Sequence, residues 1–470
     1  MSVTVDSATG ARAATEPSDA TCLPEWPRLL DGTELLGPVA GSGLREPPCL
    51  VRRSDGQIVQ LSRLLYVIAS CMDGGDLASV AAAASARLNR RIAPELIAHV
   101  AEQKLAPVGL VAHRDGSVAG LERRNAVLAL RFRTGILPER VVNVIAKWLR
   151  ALFRPPVVIA ALAALVAVDA WLVTSHGIGA GLKTLISNPA LALALFPLLI
   201  VSFVFHECGH ATACRYSGAR PGRIGIGLYL IWPAFYTDVT DSYRLSKAGR
   251  LRTDLGGVYF NALFALAAAI GYLATAYKPL LIVVVGQQLI MLNQFIPWMR
   301  LDGYHIVSDL IGVSDLFTRI KPVLAGLLPR RRPDPRVTEL KPWARVLVTT
   351  WVLTTVAALL ATVVVVAVNA GSYLRRAWDS LIVQVDGIAH AWQIGSLVDL
   401  LSGTIGSAML LTPVAGIALS YLLLCRRTGA SLALHHARRH SRARGRRSGV
   451  YAGSAKRHPP LQSANPPPVR

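Results

Sequence analysis

The chain has 470 residues, 52% of them hydrophobic and 17% charged, with a formal net charge of +22 and a mean hydropathy of +0.42. That balance is too apolar for an ordinary soluble enzyme, and the length suffices for a membrane domain plus a soluble one. In a soluble chain the positive charge would suggest nucleic acid, but Lys and Arg lie largely between and after the hydrophobic runs. Membrane topology explains them there, and no nucleic-acid partner is expected.

The start of the chain lacks the basic-then-apolar pattern of a signal peptide, so residues 1–46 read as a disordered lead-in that stays in the cytoplasm. Residues 47–120 read as a small α+β, winged-helix-like domain. LVRRSDGQIVQL suggests a hairpin turning at Asp55-Gly56. Helices are expected at 62–72, at 76–88 with Asp76 as N-cap, and at 94–103 with Pro94 in the first turn. A wing-like hairpin would follow at Asp115-Gly116. Such a fold often serves DNA, so it does not assign a function. Residues 121–155 read as a linker.

Six apolar segments, approximately 156–175, 190–213, 255–277, 279–298, 346–368 and 402–425, approach the ~20 residues that a bilayer core requires. The third and fourth are joined tightly at Lys278. Seven Lys and Arg between Arg215 and Arg252, and eight between Arg300 and Lys341, place those two connections in the cytoplasm. The alternate connections hold only Lys183, Lys278, Arg375 and Arg376. The basic tail, residues 426–470, falls on the inner side and reads as disordered. The expectation is a multi-pass cell-membrane protein with both termini cytoplasmic and the lipid bilayer as a partner.

The second apolar run ends in His206-Glu207-Cys208-Gly209-His210. HExxH sets two imidazoles at i and i+4 on one helix face, close enough to share Zn²⁺, and leaves the glutamate to activate a water. A helix end whose His and Glu merely reach the headgroups is the bland alternative, but ionisable groups beside a membrane span are costly and mark function by default. Cys208, at i+2, points away from the His face and reads as a packing residue. The six cysteines form no CxxC pair and read as reduced thiols.

Residues 223–239, RIGIGLYLIWPAFYTDV, are rich in Gly, β-branched and aromatic residues and read as extended. An exposed strand edge there would let a peptide substrate pair by strand addition. A hairpin that only caps the helix bundle is the equal alternative.

A catalytic zinc takes a third protein ligand and keeps a position for water. By the derived topology, the second and fourth spans both descend to the cytoplasmic side, so His206, His210 and Asp302, in NQFIPWMRLDGYH, arrive at one depth. A lone Asp-Gly is otherwise a turn. His305 reads as a surface residue or a further polar group near the metal.

HECGH at the end of an apolar helix, GGVYFN in the next span and N-x-x-x-P-x-x-x-LDG after the following one resemble the site-2 protease family of intramembrane zinc metalloproteases. LYLIWPAFYTDVTDSYRL and NQFIPWMRLDGYHIVSDL are most similar to its peptide zinc metalloprotease subgroup, which includes membrane peptidases of daptide-type biosynthesis. The resemblance covers about residues 150–425. It implies His206, His210 and Asp302 as zinc ligands, Glu207 as the general base, and Asn261 and Asn293 as holders of substrate backbone. Asn293 is separated from Pro297 by three residues rather than the two usual in the wider family, which leaves its partner open. Residues 47–120 resemble PqqD-like domains, which hold the leaders of ribosomally made precursor peptides. That rests on the hairpin, the Asp73-Gly74 before the second helix and the closing L-x-x-x-G-L-V.

The expected activity is zinc endopeptidase cleavage of a membrane peptide, a ribosomally synthesised precursor whose leader binds the N-terminal domain. Regulated proteolysis of a membrane-tethered regulator is the alternative within the same chemistry. A non-catalytic scaffold or export component, and a membrane-bound DNA-binding regulator, are the alternatives outside it.

Overall fold

The computed structural model describes residues 27–114, 116–118, 131–175, 189–229, 232–328, 334–408 and 410–412. The sequence expectations for Cys22, Cys425, Asp115, Lys183 and the 426–470 tail lie outside them. The chain divides into two compact units, the first comprising 1–129, 133–227 and 235–373, the second 130–132, 228–234 and 374–470.

In the first unit, strands β1 (Glu34–Pro38), β2 (Cys49–Arg52) and β3 (Ile58–Leu61) form an antiparallel sheet in that order. The expected 53–57 hairpin joins β2 and β3, with Gly56 at φ +80°. Strand β1 falls within the stretch read as a lead-in. Its signal is weak because ELLGP holds a glycine and ends in proline. Helix α1 (Arg63–Ala69) is capped by Ser62, and α2 (Leu77–Leu88) by Asp76, whose carboxylate accepts from the Ser79 amide at 3.1 Å. Helix α3 (Pro94–Val100) starts on proline and gives way to a wider π-type turn over 101–105, which runs two residues past the expected helix end at 103. The three helices close over Val51, Leu61, Ile68, Val80, Ile97 and Leu110, all buried. At the wing position the Gly116 N–H donates to the His113 carbonyl at 2.9 Å and the His113 N–H to Ser117 at 2.8 Å.

The stretch read as a linker carries β4 (Arg131–Leu137) and α4 (Glu139–Leu149). Strand β4 joins β5 (Ile224–Tyr229) and β6 (Trp232–Thr237) in a second sheet of order β4-β5-β6. The extended reading of residues 223–239 thus corresponds to two strands, with β4 supplied from about ninety residues earlier. Gly225 lies so close under Thr134 and the Tyr236 ring that a Cβ would overlap both.

Helices α5 (Pro155–Ser175), α6 (Pro189–Tyr216), α7 (Lys247–Thr275) and α8 (Pro279–Gln294) follow. Short α9 (Asp302–Ile311) and α10 (Ile320–Gly326) lead to α11 (Pro342–Ile394). Among the described residues, four helices are long and apolar enough to cross a membrane: α5, α6, α7 and α11. The fourth expected span, 279–298, is a helix of only 16 residues, because the chain breaks helix before Pro297. The fifth does not end near Val368. Helix α11 runs on for 53 residues, about 80 Å at 1.5 Å per residue. No proline interrupts residues 369–394, and apolar side chains recur there at helical spacing.

Helix α7 is the centre of the first unit, packed along α6, α8, α5 and α9. Gly209 of α6 and Gly256 of α7 meet backbone to backbone, so that a Cβ on either would overlap the other's carbonyl. Small residues are what such close helix crossings require. In the second unit, α11 beyond Leu374 turns at Gly395 (φ +69°) into α12 (Leu397–Thr412). Gly403 and Gly406 of α12 seat against Ile388 and Gln384. The sixth expected span coincides with α12 only to residue 412; residues 413–425 lie outside the described part.

Candidate metal centre

Each group of the site is placed by its helix. His206 and His210 sit one turn apart on α6, both buried, with ring centroids 4.8 Å apart. The Nδ1–H of His210 donates to the Thr253 carbonyl of α7 at 2.8 Å. That bond fixes the tautomer and leaves Nε2 a lone pair turned toward His206. Asp302 opens α9 and directs Oδ2 at both imidazoles.

The three candidate ligand atoms form a nearly equilateral triangle. His206 Nε2 and His210 Nε2 lie 3.1 Å apart, and Asp302 Oδ2 is 3.3 Å from the first and 3.4 Å from the second. Ligands at ~2.0–2.1 Å around a tetrahedral zinc are themselves about 3.3 Å apart, so the triangle has the size of one tetrahedral face. Asp302 Oδ2 is buried and makes no hydrogen bond among the described residues. An orphaned carboxylate oxygen facing two imidazole nitrogens is a donor set that fits a metal ion such as zinc. Burial pushes the Asp302 carboxyl up, but the positive charge that His210 and His206 carry when protonated outweighs it and holds the carboxyl well below the usual carboxylate range.

The space around the triangle is shaped by an absent side chain. A Cβ on Gly257 of α7 would stand 2.5 Å from His206 Nε2 and overlap His210 Nε2. Only glycine admits both rings.

Glu207 is buried beside the ligands at 8% exposure, and its carboxylate oxygen Oε2 accepts from Thr237 Oγ1 at 2.7 Å. The same hydroxyl lies 2.9 Å from the Glu207 carbonyl. Thr237 ends β6, so the second sheet delivers its last residue to the glutamate. A threonine thirty residues after the motif gives no sequence signal of this role. Thr253 and Gly257 were equally silent, apart from the glycines of GGVYFN.

The structure brings together His206, His210, Asp302 and Glu207. Asn261 lies one turn beyond Gly257 on α7, 1% exposed, with Nδ2 lacking a partner among the described residues. Asn293 lies in the last turn of α8 and is exposed, and His305 is exposed on α9 with its ring edge-on to Tyr304. Cys208 is buried in an apolar cluster with Ala211, Ile224, Tyr259 and Phe260. Cys49, Cys71, Cys208 and Cys214 are free thiols.

No family model matches the chain, and no solved structure matches it. Over 124 residues it is 25% identical to a Bacillus subtilis (strain 168) protein named "Putative peptide zinc metalloprotease protein YydH". The match takes in 26% of this chain and 49% of that relative, so about half the relative's length is spanned. The likeness is consistent with a zinc-dependent protease, and a His-His-Asp cluster able to hold a metal lies in this chain.

Proposed function

We propose that the protein is an intramembrane zinc endopeptidase of the site-2 type, with His206, His210 and Asp302 holding Zn²⁺ and Glu207 as general acid–base. The observation that carries this is the ligand triangle of 3.1, 3.3 and 3.4 Å with Glu207 buried beside it. When bound, zinc supplies Lewis-acid polarisation and a water of lowered pKa. Glu207 takes the proton from the attacking water as its oxygen bonds to the peptide carbonyl carbon. It then delivers that proton to the leaving amine as the C–N bond breaks. Thr237 holds the Glu207 carboxylate in place, and Thr253 holds the His210 ring. Asn261 presents an unpaired amide for substrate backbone, and Asn293 a second one.

Membrane setting follows from the apolar helices. In this reading six spans cross the bilayer with both termini cytoplasmic, α8 and α12 being the two short ones, and the metal centre lies near the inner face. Strand β6 is at the edge of its sheet and ends on Thr237, the partner of Glu207. A substrate segment added along that edge would be drawn out as a strand beside the base.

The substrate we propose is a ribosomally synthesised precursor peptide, with the PqqD-like N-terminal domain holding its leader. The test is processing of a candidate precursor in cells carrying Glu207→Gln or Asp302→Asn. Processing is expected to stop while the protein still accumulates in membranes; processing at the wild-type rate overturns the assignment.

A further inference from the structure

We propose that Arg250 and the β1–β2 connection of the N-terminal domain position the metal centre by fixing helix α9, which makes that domain a working part of the site. This rests on reading the His-His-Asp cluster as a zinc site. The geometry begins with two spacings of seven residues. On α7, Arg250 precedes Gly257, the glycine under the two imidazoles, by seven. On α9, Asp309 follows the ligand Asp302 by seven. Seven residues is close to two helical turns, so each pair shares a face.

Helices α7 and α9 pack on each other, and Arg250 Nε donates to Asp309 Oδ1 at 3.0 Å. Helix α9 is therefore held at the ligand cluster, where Asp302 faces the imidazoles of α6, and again two turns away, where Asp309 meets Arg250 of α7. Rotation or sliding of α9, which would withdraw Asp302 from the imidazoles, has to break the second pin.

Arg250 is 1% exposed, and a guanidinium so buried persists only with its donors satisfied. Its Nη1 donates to the Leu245 carbonyl at 3.0 Å, and its Nη2 to the Ala40 carbonyl at 3.1 Å. Ala40 lies between β1 and β2, in a strap that grips the far end of α9. The Gly43 N–H donates to the Gly312 carbonyl at 2.9 Å, just past the helix, and Ser42 Oγ reaches the same oxygen at 3.4 Å. Gly312 has φ +71°, and a Cβ there would overlap the Gly41 carbonyl; a Cβ on Gly43 would overlap the Ile311 carbonyl. On its other side the strap accepts from the Lys341 N–H (2.8 Å) and Nζ (2.9 Å), at the foot of α11.

The strap is thus hydrogen-bonded to α7 through Arg250, to the end of α9 and to the start of α11. A separately tethered recognition module would need none of these contacts. Groups that orient ligands from behind commonly contribute about 10–100-fold in metal affinity.

The experiment uses the full-length protein in lipid nanodiscs, with Zn²⁺ affinity measured by chelator competition and apo-protein stability measured in parallel. Arg250→Met is expected to weaken Zn²⁺ binding at least about 10-fold, Arg250→Lys to recover part of that loss, and Gly43→Ala to weaken binding with Arg250 intact. If Arg250→Met does not fold, Gly43→Ala and Asp309→Asn decide by the same criterion. Unchanged Zn²⁺ affinity in the folded variants, even with lowered apo stability, overturns the positioning role alone. A wild-type protein whose Zn²⁺ binding does not depend on His206 and His210 overturns the zinc reading and this proposal with it.

Discussion

Thr237 Oγ1 lies 2.7 Å from the Glu207 carboxylate and 2.9 Å from its carbonyl, so one hydroxyl holds the side chain of the candidate base against its own helix. A hydrogen bond to a charged group contributes ~1.5–3 kcal/mol. Thr237→Val keeps the shape and removes the donor. It is expected to lower kcat about 10-fold or more with zinc content unchanged, while Thr237→Ser keeps most activity. Steady-state cleavage together with metal analysis checks this; a Val variant at the wild-type rate removes Thr237 from the mechanism.

Gly257 is a second constraint of the same kind. A Cβ at that position stands 2.5 Å from His206 Nε2, inside the van der Waals limit, and relief would require parting α6 and α7, which are in backbone contact at Gly209 and Gly256. Overpacking of this sort costs typically ~1–3 kcal/mol, and here the strain falls on the ligand rings. Gly257→Ala is therefore expected to be purified with less than half the zinc of wild type while retaining its helical circular dichroism. Full metal occupancy in that variant would contradict the proposed placement of the rings.

Much of this site was legible in the residues because its rules are local or nearly so. The i, i+4 spacing of His206 and His210 needs only a helix; the charge pattern set Asp302 at the expected depth of the histidines, and the family resemblance marked it as the third candidate ligand. Asp76 as an N-cap and the turn at Gly56 were equally local. What could not be read depends on partners distant in sequence. Strand β4 has no meaning until β5 arrives some ninety residues later. The Arg250–Asp309 and Thr237–Glu207 pairs join ordinary polar residues whose roles exist only in three dimensions. The length of α11 was missed for a different reason. Hydropathy marks where an apolar window stops, whereas a helix stops only where propensity or a cap stops it.

Metal removal gives a test that needs no substrate. A ligand that binds only the folded state stabilises it by about 2.7 kcal/mol at a hundredfold excess over Kd. Stripping zinc with a chelator is expected to lower Tm by several degrees, and adding zinc back to restore it. In His206→Ala and His210→Ala the shift should vanish, because each variant leaves only two of the three protein ligands that would hold the metal. A chelator shift that persists in both variants would locate the metal elsewhere.

Asp169 of α5 and Gln288 of α8 form a polar clasp, the Gln288 amide donating to Asp169 Oδ1 at 2.5 Å. Both sit within otherwise apolar helices, where a lone carboxylate is costly to bury and a paired one much less so. The two single changes should therefore differ. Gln288→Leu leaves the carboxylate without its donor and is expected to destabilise by about 1–3 kcal/mol. Asp169→Leu removes the costly group itself, and the double change Asp169→Leu with Gln288→Leu should recover much of the loss seen in Gln288→Leu alone. Unfolding in mixed detergent micelles measures all three variants against wild type. Additive losses in the double variant would mean that the clasp contributes nothing and that each residue acts through other contacts. A recovery would mean that α5 and α8 are held together by a pair whose value depends on the low dielectric around it.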